Sequence, residues 1–262
     1  MRCPTLSVLI ISLGQADTGA MASAFVIRTA LFAGLSMGRI IIDPTDEDAV
    51  FALNSEYVAR TPDGGKTWDD ATALNPDPAQ PDLWRGRGYA GWCCTRFRFS
   101  PTDPRDSVFT ALDAGKLWRS RDGLGSWRYH GSEPWAWGGG QDLCYAGPCV
   151  YAVAGQFGDN LGLLRIGRAD GKTTLLTGAA HGLPELHQGG QPTGIYAQPD
   201  APQQVWAAIG GALYRSTDAG EHWSLIQKGL GFGHIAGETT KPARFYVDGK
   251  DGIWRTEDGL TF

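Results

Sequence analysis

Four carboxylates outside the repeated turns of this chain could take part in acid–base chemistry. They are Asp113, Asp142, Asp159 and Glu185, and each lies in a segment that connects predicted strands. Hydrolysis of a glycosidic bond usually needs two carboxylates facing one cleft, about 5–5.5 Å or 6.5–9.5 Å apart. The sequence therefore predicts these four as catalytic candidates, without saying which two would form the pair.

Aromatic side chains are concentrated in the same kind of segment. Of the ten tryptophans, four fall within residues 83–92 and 133–137. Flat aromatic faces beside polar side chains suit a sugar ring, which has apolar C–H faces and polar edges. The alternative is that these tryptophans fill a central channel or cover the ends of sheets. The predicted ligand-binding residues are Trp84, Arg85, Arg87, Tyr89, Trp92, Trp135, Trp137 and His187.

A nine-residue pattern, here called the repeat motif, organises the rest of the chain. It reads Arg-Thr-Pro-Asp-Gly-Gly-Lys-Thr-Trp at 60–68 and recurs at 119–127 and 215–223, with a shortened copy at 255–262. A degenerate copy at 167–174 keeps Asp170-Gly171 without the aromatic. Aspartate before glycine is typical of a turn in which the carboxylate accepts backbone N–H bonds. We therefore expect structural roles for Asp63, Trp68, Asp122, Trp127, Asp218, Trp223 and Asp258.

Short apolar runs bounded by Gly, Pro and Asp surround each copy of the motif, and no segment shows convincing helical periodicity. Four such runs per repeat of roughly 40 to 50 residues are typical of antiparallel propeller blades. The sequence predicts an all-β protein, a β-propeller of four-stranded antiparallel blades with about five blades visible. These blades span residues 35–75, 90–130, 140–178, 191–228 and 233–262. The last would be completed by an N-terminal strand at 24–31, or else the chain is a fragment of a larger propeller.

The repeat motif resembles that of the Asp-box (BNR) proteins, and the copy at 61–68 matches at every motif position. Leu124 replaces a glycine in the second copy, and His222 replaces a hydroxyl residue in the third. This superfamily includes sialidases, xyloglucan-active glycoside hydrolases, sortilin-type receptors and a photosystem assembly factor. The resemblance implies a propeller but does not choose among these functions. The surroundings of Asp113 loosely resemble the catalytic loop of the xyloglucan-active enzymes, whereas the sialidase-like string at 25–28 lacks the expected order.

Net charge, apolar runs and the N-terminal residues indicate which classes of partner the protein binds and where it is located. A net charge of -5 argues against a nucleic-acid binder, and no apolar run is long enough to predict a transmembrane segment. Arg2, an apolar run at 6–13 and the small residues that follow are typical of an export signal. We therefore expect a signal peptide at 1–21, a single propeller domain at 22–262 and a secreted or periplasmic protein. Met21 is an alternative start, and the oligomeric state is not predicted.

The cysteines leave several arrangements open. Cys144 and Cys149 flank a turn-like spacer and could close a small disulfide loop. Cys93 and Cys94 are adjacent, so they form a vicinal bridge, two separate bridges or two buried thiols. No cluster has zinc spacing, and the aspartate turns lack the further oxygen ligands of a calcium loop. The sequence predicts neither a metal nor a cofactor.

These observations leave two candidate functions for the protein. The first is an exported propeller whose loops bind a glycan and hydrolyse it if two of the carboxylates form a pair. The alternative is a propeller without catalysis that binds or assembles a protein partner.

Overall fold

The computed structural model describes residues 39–43, 46–53, 58–70, 75–77, 80–85, 94–103, 105–111, 116–123, 126–130, 140–154, 162–185, 192–238 and 241–262. The expected signal peptide at 1–21, the expected closing strand at 24–31 and Cys93 lie outside these residues.

Five antiparallel sheets follow one another along the described part of the chain. The first contains β1 (Arg39–Asp43), β2 (Asp46–Leu53), β3 (Val58–Thr61) and β4 (Asp69–Asp70). The second contains β5 (Asn75–Asp77), β6 (Gln80–Arg85), β7 (Cys94–Phe99), β8 (Ser107–Ala111), β9 (Lys116–Ser120) and β10 (Ser126–Tyr129). The third contains β11 (Gly140–Ala146), β12 (Cys149–Ala154), β13 (Gly162–Gly167) and β14 (Thr173–Leu175). The fourth contains β15 (Pro192–Gln198), β16 (Ala201–Ile209), β17 (Gly211–Ser216) and β18 (Ser224–Phe232). The fifth contains β19 (Ile235–Gly237), β20 (Phe245–Gly249) and β21 (Gly252–Thr256). A 3₁₀ turn at Ala179–His181 is the one helical element among the described residues.

The predicted all-β architecture is confirmed, with consecutive strands paired in chain order in the first, third, fourth and fifth sheets. The second sheet differs, because its order is β5-β6-β10-β9-β8-β7. The hairpin β5–β6 adds two strands beyond β10, in a segment that the sequence predicts to be only a connection.

Neighbouring sheets pack face to face. We number the strands of the second sheet from β7, so that β7 to β10 are its first to fourth strands and β5 and β6 are additional. With this numbering, the first strand of each sheet contacts the first strand of the next, from β1 through β7, β11 and β15 to β19. Thr193 on β15 donates its hydroxyl to the carbonyl of Gly233 (3.4 Å), and Gly237 lies against the ring of Tyr196, so β15 and β19 run in the same direction. This is the radial arrangement of propeller blades.

Apolar residues fill the space between these sheets. Phe51 of the first sheet stacks on Phe97 of the second, with ring centroids 5.5 Å apart. Separate buried clusters join the second sheet to the third, the third to the fourth and the fourth to the fifth. Trp127 and Trp206 are among the largest fully buried side chains. The core is therefore a series of layers between blades.

The strand directions give the molecule two distinct ends. We call the end at which the first strands begin the loop face; the connections from second to third strands lie there. We call the opposite end the turn face, which holds the turns from first to second strands and from third to fourth strands. The repeat motif lies between third and fourth strands, so all its copies are on the turn face.

Of the arrangements left open for Cys144 and Cys149, the structure has both thiols free. In the β11–β12 hairpin Cys149 is opposite Ala146, whereas Cys144 is opposite Tyr151. The two cysteines are therefore out of register. Burial raises the pKa of the Cys144 thiol, which makes it a poor nucleophile.

Candidate functional site

Most of the predicted ligand-binding residues lie outside the described residues, as do two of the catalytic candidates. These are Arg87, Tyr89, Trp92, Trp135, Trp137, His187, Asp113 and Asp159. The strands to which their segments are joined are nevertheless described.

Those strands show where the two tryptophan-rich segments enter the described fold. Residues 86–93 lead directly into β7, and residues 131–139 lead directly into β11. β7 and β11 are neighbouring first strands, and both begin at the loop face. Chain continuity therefore joins the C-terminal ends of both segments to the loop face of the second and third sheets. The N-terminal end of residues 86–93 follows Arg85, which is opposite Ser126 at the turn-face end of β10. Asp113 and Asp159 belong to connections between second and third strands, which end at the same face.

The loop position predicted for Trp84 and Arg85 is wrong. Both lie in β6, which pairs with β10, and Trp84 is opposite Trp127. On its other side, β6 pairs with β5, where Pro76 is opposite Trp84. Pro76 and Pro81 made this segment look like a connection, because proline is depleted in strands.

The loop position predicted for Asp142 is also wrong. This residue lies in β11 and is 3% exposed. Its Oδ1 accepts hydrogen bonds from Arg98 Nη2 at 3.0 Å and from the Leu143 backbone at 2.9 Å. Its Oδ2 accepts one from the Ile195 backbone at 3.2 Å. Asp142 therefore links the first strands of three consecutive sheets, and both of its oxygens are occupied by the protein's own donors.

Glu185 is exposed and supports a local turn. Its Oε1 accepts a hydrogen bond from the Ala179 backbone at 3.1 Å, across the 3₁₀ turn that precedes it. His181 in the same turn bonds through Nδ1 to the Glu221 carbonyl at 2.8 Å, which fixes the turn against the fourth sheet. Asp142 and Glu185 are the two catalytic candidates among the described residues, and their carboxylates accept hydrogen bonds from different residues.

The aspartates of the repeat motif bond within their own turns. Asp63 accepts the Thr67 backbone N–H at 2.8 Å and the Thr67 hydroxyl at 2.7 Å, and these bonds lower its pKa to about 2. Asp218 accepts the His222 backbone N–H at 2.9 Å and the His222 ring nitrogen at 2.7 Å. Its pKa is likewise lowered to about 2, mainly by the backbone bond. These carboxylates are strong acceptors on the turn face and poor proton donors at neutral pH.

The turn face also contains a polar cleft that the sequence does not predict. It has a volume of about 550 Å³, is open to solvent, and lies between the second and third sheets. The residues that line it are Asp103, Asp106, Arg119, Arg121, Gly147, Pro148, Arg168 and Ala169.

Buried Asp106 is the centre of this cleft. Arg119 donates to both of its oxygens, from Nε at 2.5 Å and from Nη2 at 2.7 Å, and Arg168 Nη2 donates to Oδ2 at 2.6 Å. Burial opposes ionisation of Asp106, but the bonds from Arg119 and Arg168 outweigh it and lower the pKa. Arg119 begins the second copy of the repeat motif, yet no local pattern indicates that Arg168, 49 residues away, would join it.

No protein-family model matches this sequence, and no curated protein matches it. Solved structures do resemble it. A GH74 enzyme from Niastella koreensis has a TM-score of 0.60 and 15% identity, over 84% of this chain and 36% of that one. The GH74 xyloglucanase from Xanthomonas campestris has a TM-score of 0.61 and 16% identity, over 86% of this chain and 37% of that one. This chain has a β-propeller fold.

A third structure shows the same architecture in another setting. The extracellular domain of BT3049 from B. thetaiotaomicron has a TM-score of 0.60 and 10% identity, over 89% of this chain and 29% of that one. At such identities the likeness shows the fold alone, and this chain spans about a third of the length of each of the three structures. In the described part of the chain, no helix has the length and apolar character needed to cross a membrane.

Proposed function

We propose that this chain is an exported Asp-box propeller that binds a glycan at its loop face. The observation that carries the proposal is the joining of two tryptophan-rich segments, 86–93 and 131–139, to neighbouring first strands at one face. Trp92, Trp135 and Trp137 would supply apolar faces for sugar rings. Arg87, Tyr89 and His187 would supply hydrogen bonds to the hydroxyl groups. Trp84 and Arg85 are not part of this proposal, because they lie in β6.

Binding is better supported than hydrolysis. Asp142 has both carboxylate oxygens occupied inside the protein, so we do not include it in the proposed catalytic pair. Hydrolysis would require two of Asp113, Asp159 and Glu185 to face one cleft at the separation that glycosidases use. Glycoside hydrolase activity is therefore a narrower hypothesis within the proposed binding function.

Affinity electrophoresis in gels that contain neutral polysaccharides, xyloglucan among them, tests the proposal. We expect Trp92→Ala and Trp135→Ala to abolish the retardation of the chain, and Tyr246→Ala to leave it unchanged. Tyr246 is the matched control because it is an exposed aromatic on the fifth sheet, away from these segments. Far-ultraviolet circular dichroism would show that each variant is folded.

Unchanged retardation of both tryptophan variants would contradict the proposal. If the tryptophan variants lose polysaccharide binding and the wild type releases no reducing sugar, the result would support a binding module without hydrolase activity. Release of reducing sugar that Asp113→Asn abolishes would support the hydrolase hypothesis.

A protein ligand is the second candidate, and the commitment of Asp142 to structural bonds favours it over catalysis. It predicts that the chain binds no polysaccharide in these gels. It also predicts that the tryptophan variants lose binding to a partner protein.

A further inference from the structure

We propose that the arginine-rich cleft between the second and third sheets binds a small oxyanion, a carboxylate or a phosphate group. The cleft lies on the turn face, opposite the proposed glycan site, and the inference does not depend on that site. Four turns contribute to it: those between β7 and β8, β9 and β10, β11 and β12, and β13 and β14.

The guanidinium groups of the cleft are held in place before any ligand arrives. Asp106 binds Arg119 and Arg168 together. The Arg168 carbonyl accepts a hydrogen bond from Arg119 Nη1 and another from Arg121 Nη2, the latter at 2.9 Å. The Arg168 guanidinium also lies 5.0 Å from the centre of the Tyr145 ring. Because these side chains are already ordered, a ligand would lose little affinity to their immobilisation.

The cleft carries more positive than negative charge. Three arginines and two aspartates line it, and Asp103 is paired with Arg105 at 3.3 Å. Among the described residues, two positive charges are therefore left without a balancing carboxylate, in a chain whose net charge is -5. Arg121 has no carboxylate partner in this part of the chain, and its one hydrogen bond there goes to the Arg168 carbonyl.

This excess charge is not needed to join the two sheets. The bonds of Asp106 with Arg119 and Arg168 already link the second sheet to the third, and the bond from Arg168 Nη2 to Ser100 Oγ at 3.2 Å adds to them. Arg121 is exposed and retains most of its five N–H donors. A planar guanidinium presents two parallel donors that match a carboxylate or phosphate. A cleft of about 550 Å³ accommodates such a group together with the part of the ligand that carries it.

Isothermal titration with inorganic phosphate, and separately with succinate, tests the inference on the full chain. We expect saturable binding of at least one of them. Arg121→Ala should weaken it about tenfold, because a hydrogen bond to a charged group is lost. Arg121→Lys should weaken the binding less than Arg121→Ala does, because lysine keeps the positive charge and loses only the two parallel N–H donors of the guanidinium. Lys228→Ala removes an exposed positive charge from β18 of the fourth sheet and should leave the affinity unchanged.

A second variant keeps the test independent of Arg121. Ala169 is exposed and lines the cleft, so Ala169→Asp places a negative charge there and should abolish binding. Tighter binding of phosphate would identify a phosphate ester as the ligand class, and tighter binding of succinate a carboxylate. The absence of saturable binding, or equal affinities for wild type, Arg121→Ala and Ala169→Asp, would overturn the inference.

Discussion

The turns at 216–223 and 167–176 occupy the same position in adjacent sheets and are built differently. In the first, Asp218 accepts bonds from the Ser216 hydroxyl and from both the backbone and the ring of His222. In the second, Asp170 accepts one bond from the described residues, from the Lys172 backbone at 3.0 Å. Both sheets nevertheless keep four strands in the same order.

The difference shows which part of the repeat motif the blade depends on. Trp223 ends the first turn and is 5% exposed, and its indole N–H donates to the Gly220 carbonyl at 2.9 Å. The second turn has no aromatic, but Leu176 ends it and is fully buried in the same apolar cluster as Trp223. Burial of a large apolar side chain is common to both turns, and the carboxylate network is not. We infer that the apolar residue stabilises the blade and that the aspartate shapes the turn.

Trp223→Ala should have the largest effect. We expect it to lower the free energy of unfolding by about 3–5 kcal/mol, because it leaves a cavity between the third and fourth sheets. Leu176→Ala should cost about 2–5 kcal/mol by the same mechanism. Urea denaturation monitored by circular dichroism measures both. If Leu176→Ala lowered the free energy of unfolding only negligibly, Leu176 would not stabilise its sheet in the way that Trp223 does.

Asp218→Ala should destabilise the chain by about 1–2 kcal/mol, since the donors of its turn lose their acceptor. Asp170→Ala is the matched control and should change the free energy of unfolding by about 0.5 kcal/mol or less. The same denaturation experiment compares them. Equal losses would mean that the hydrogen bonds around Asp218 contribute nothing beyond the single bond of Asp170.

Lowering the pH should destabilise the fold through the turns in which the motif aspartate accepts several hydrogen bonds. The pKa of Asp63, Asp218 and Asp258 is lowered to about 2 in the fold, so the unfolded chain binds more protons as the pH falls. Their contribution is fully present above about pH 4 and is lost as the pH falls toward about 2. Urea midpoints between pH 6 and pH 2 should fall less steeply for Asp218→Asn than for the wild type.

Ala219→Gly should have the smallest effect, and it should be stabilising. Ala219 has a φ of 58°, whereas the corresponding Gly64, Gly123 and Gly259 have φ values of 67–70°. The left-handed conformation is costly for alanine, and the greater freedom of glycine in the unfolded chain offsets part of the gain. We expect a net stabilisation of about 0.5 kcal/mol by differential scanning calorimetry. Gly64→Ala should do the opposite, because its Cβ would also lie 2.8 Å from Asp48 Oδ1.

The sequence predicted the propeller sheets because their signals are local and repeated: strands of a few residues, turns with aspartate and glycine, and a constant spacing. The hairpin β5–β6 was missed because it belongs to no repeat and contains Pro76 and Pro81. Asp142 was misplaced for a related reason. Its partners, Arg98 and Ile195, lie 44 and 53 residues away, and no pattern in the sequence connects them. The cleft around Asp106 depends on similar long-range contacts.

The hairpin β5–β6 also affects how the molecule meets other chains. It covers β10, so the outer edge of the second sheet is β5, which has three residues and a proline in the middle. A short edge strand in which Pro76 has no N–H to donate is a poor template for a strand from another molecule. This edge is therefore protected against intermolecular β-sheet formation and aggregation.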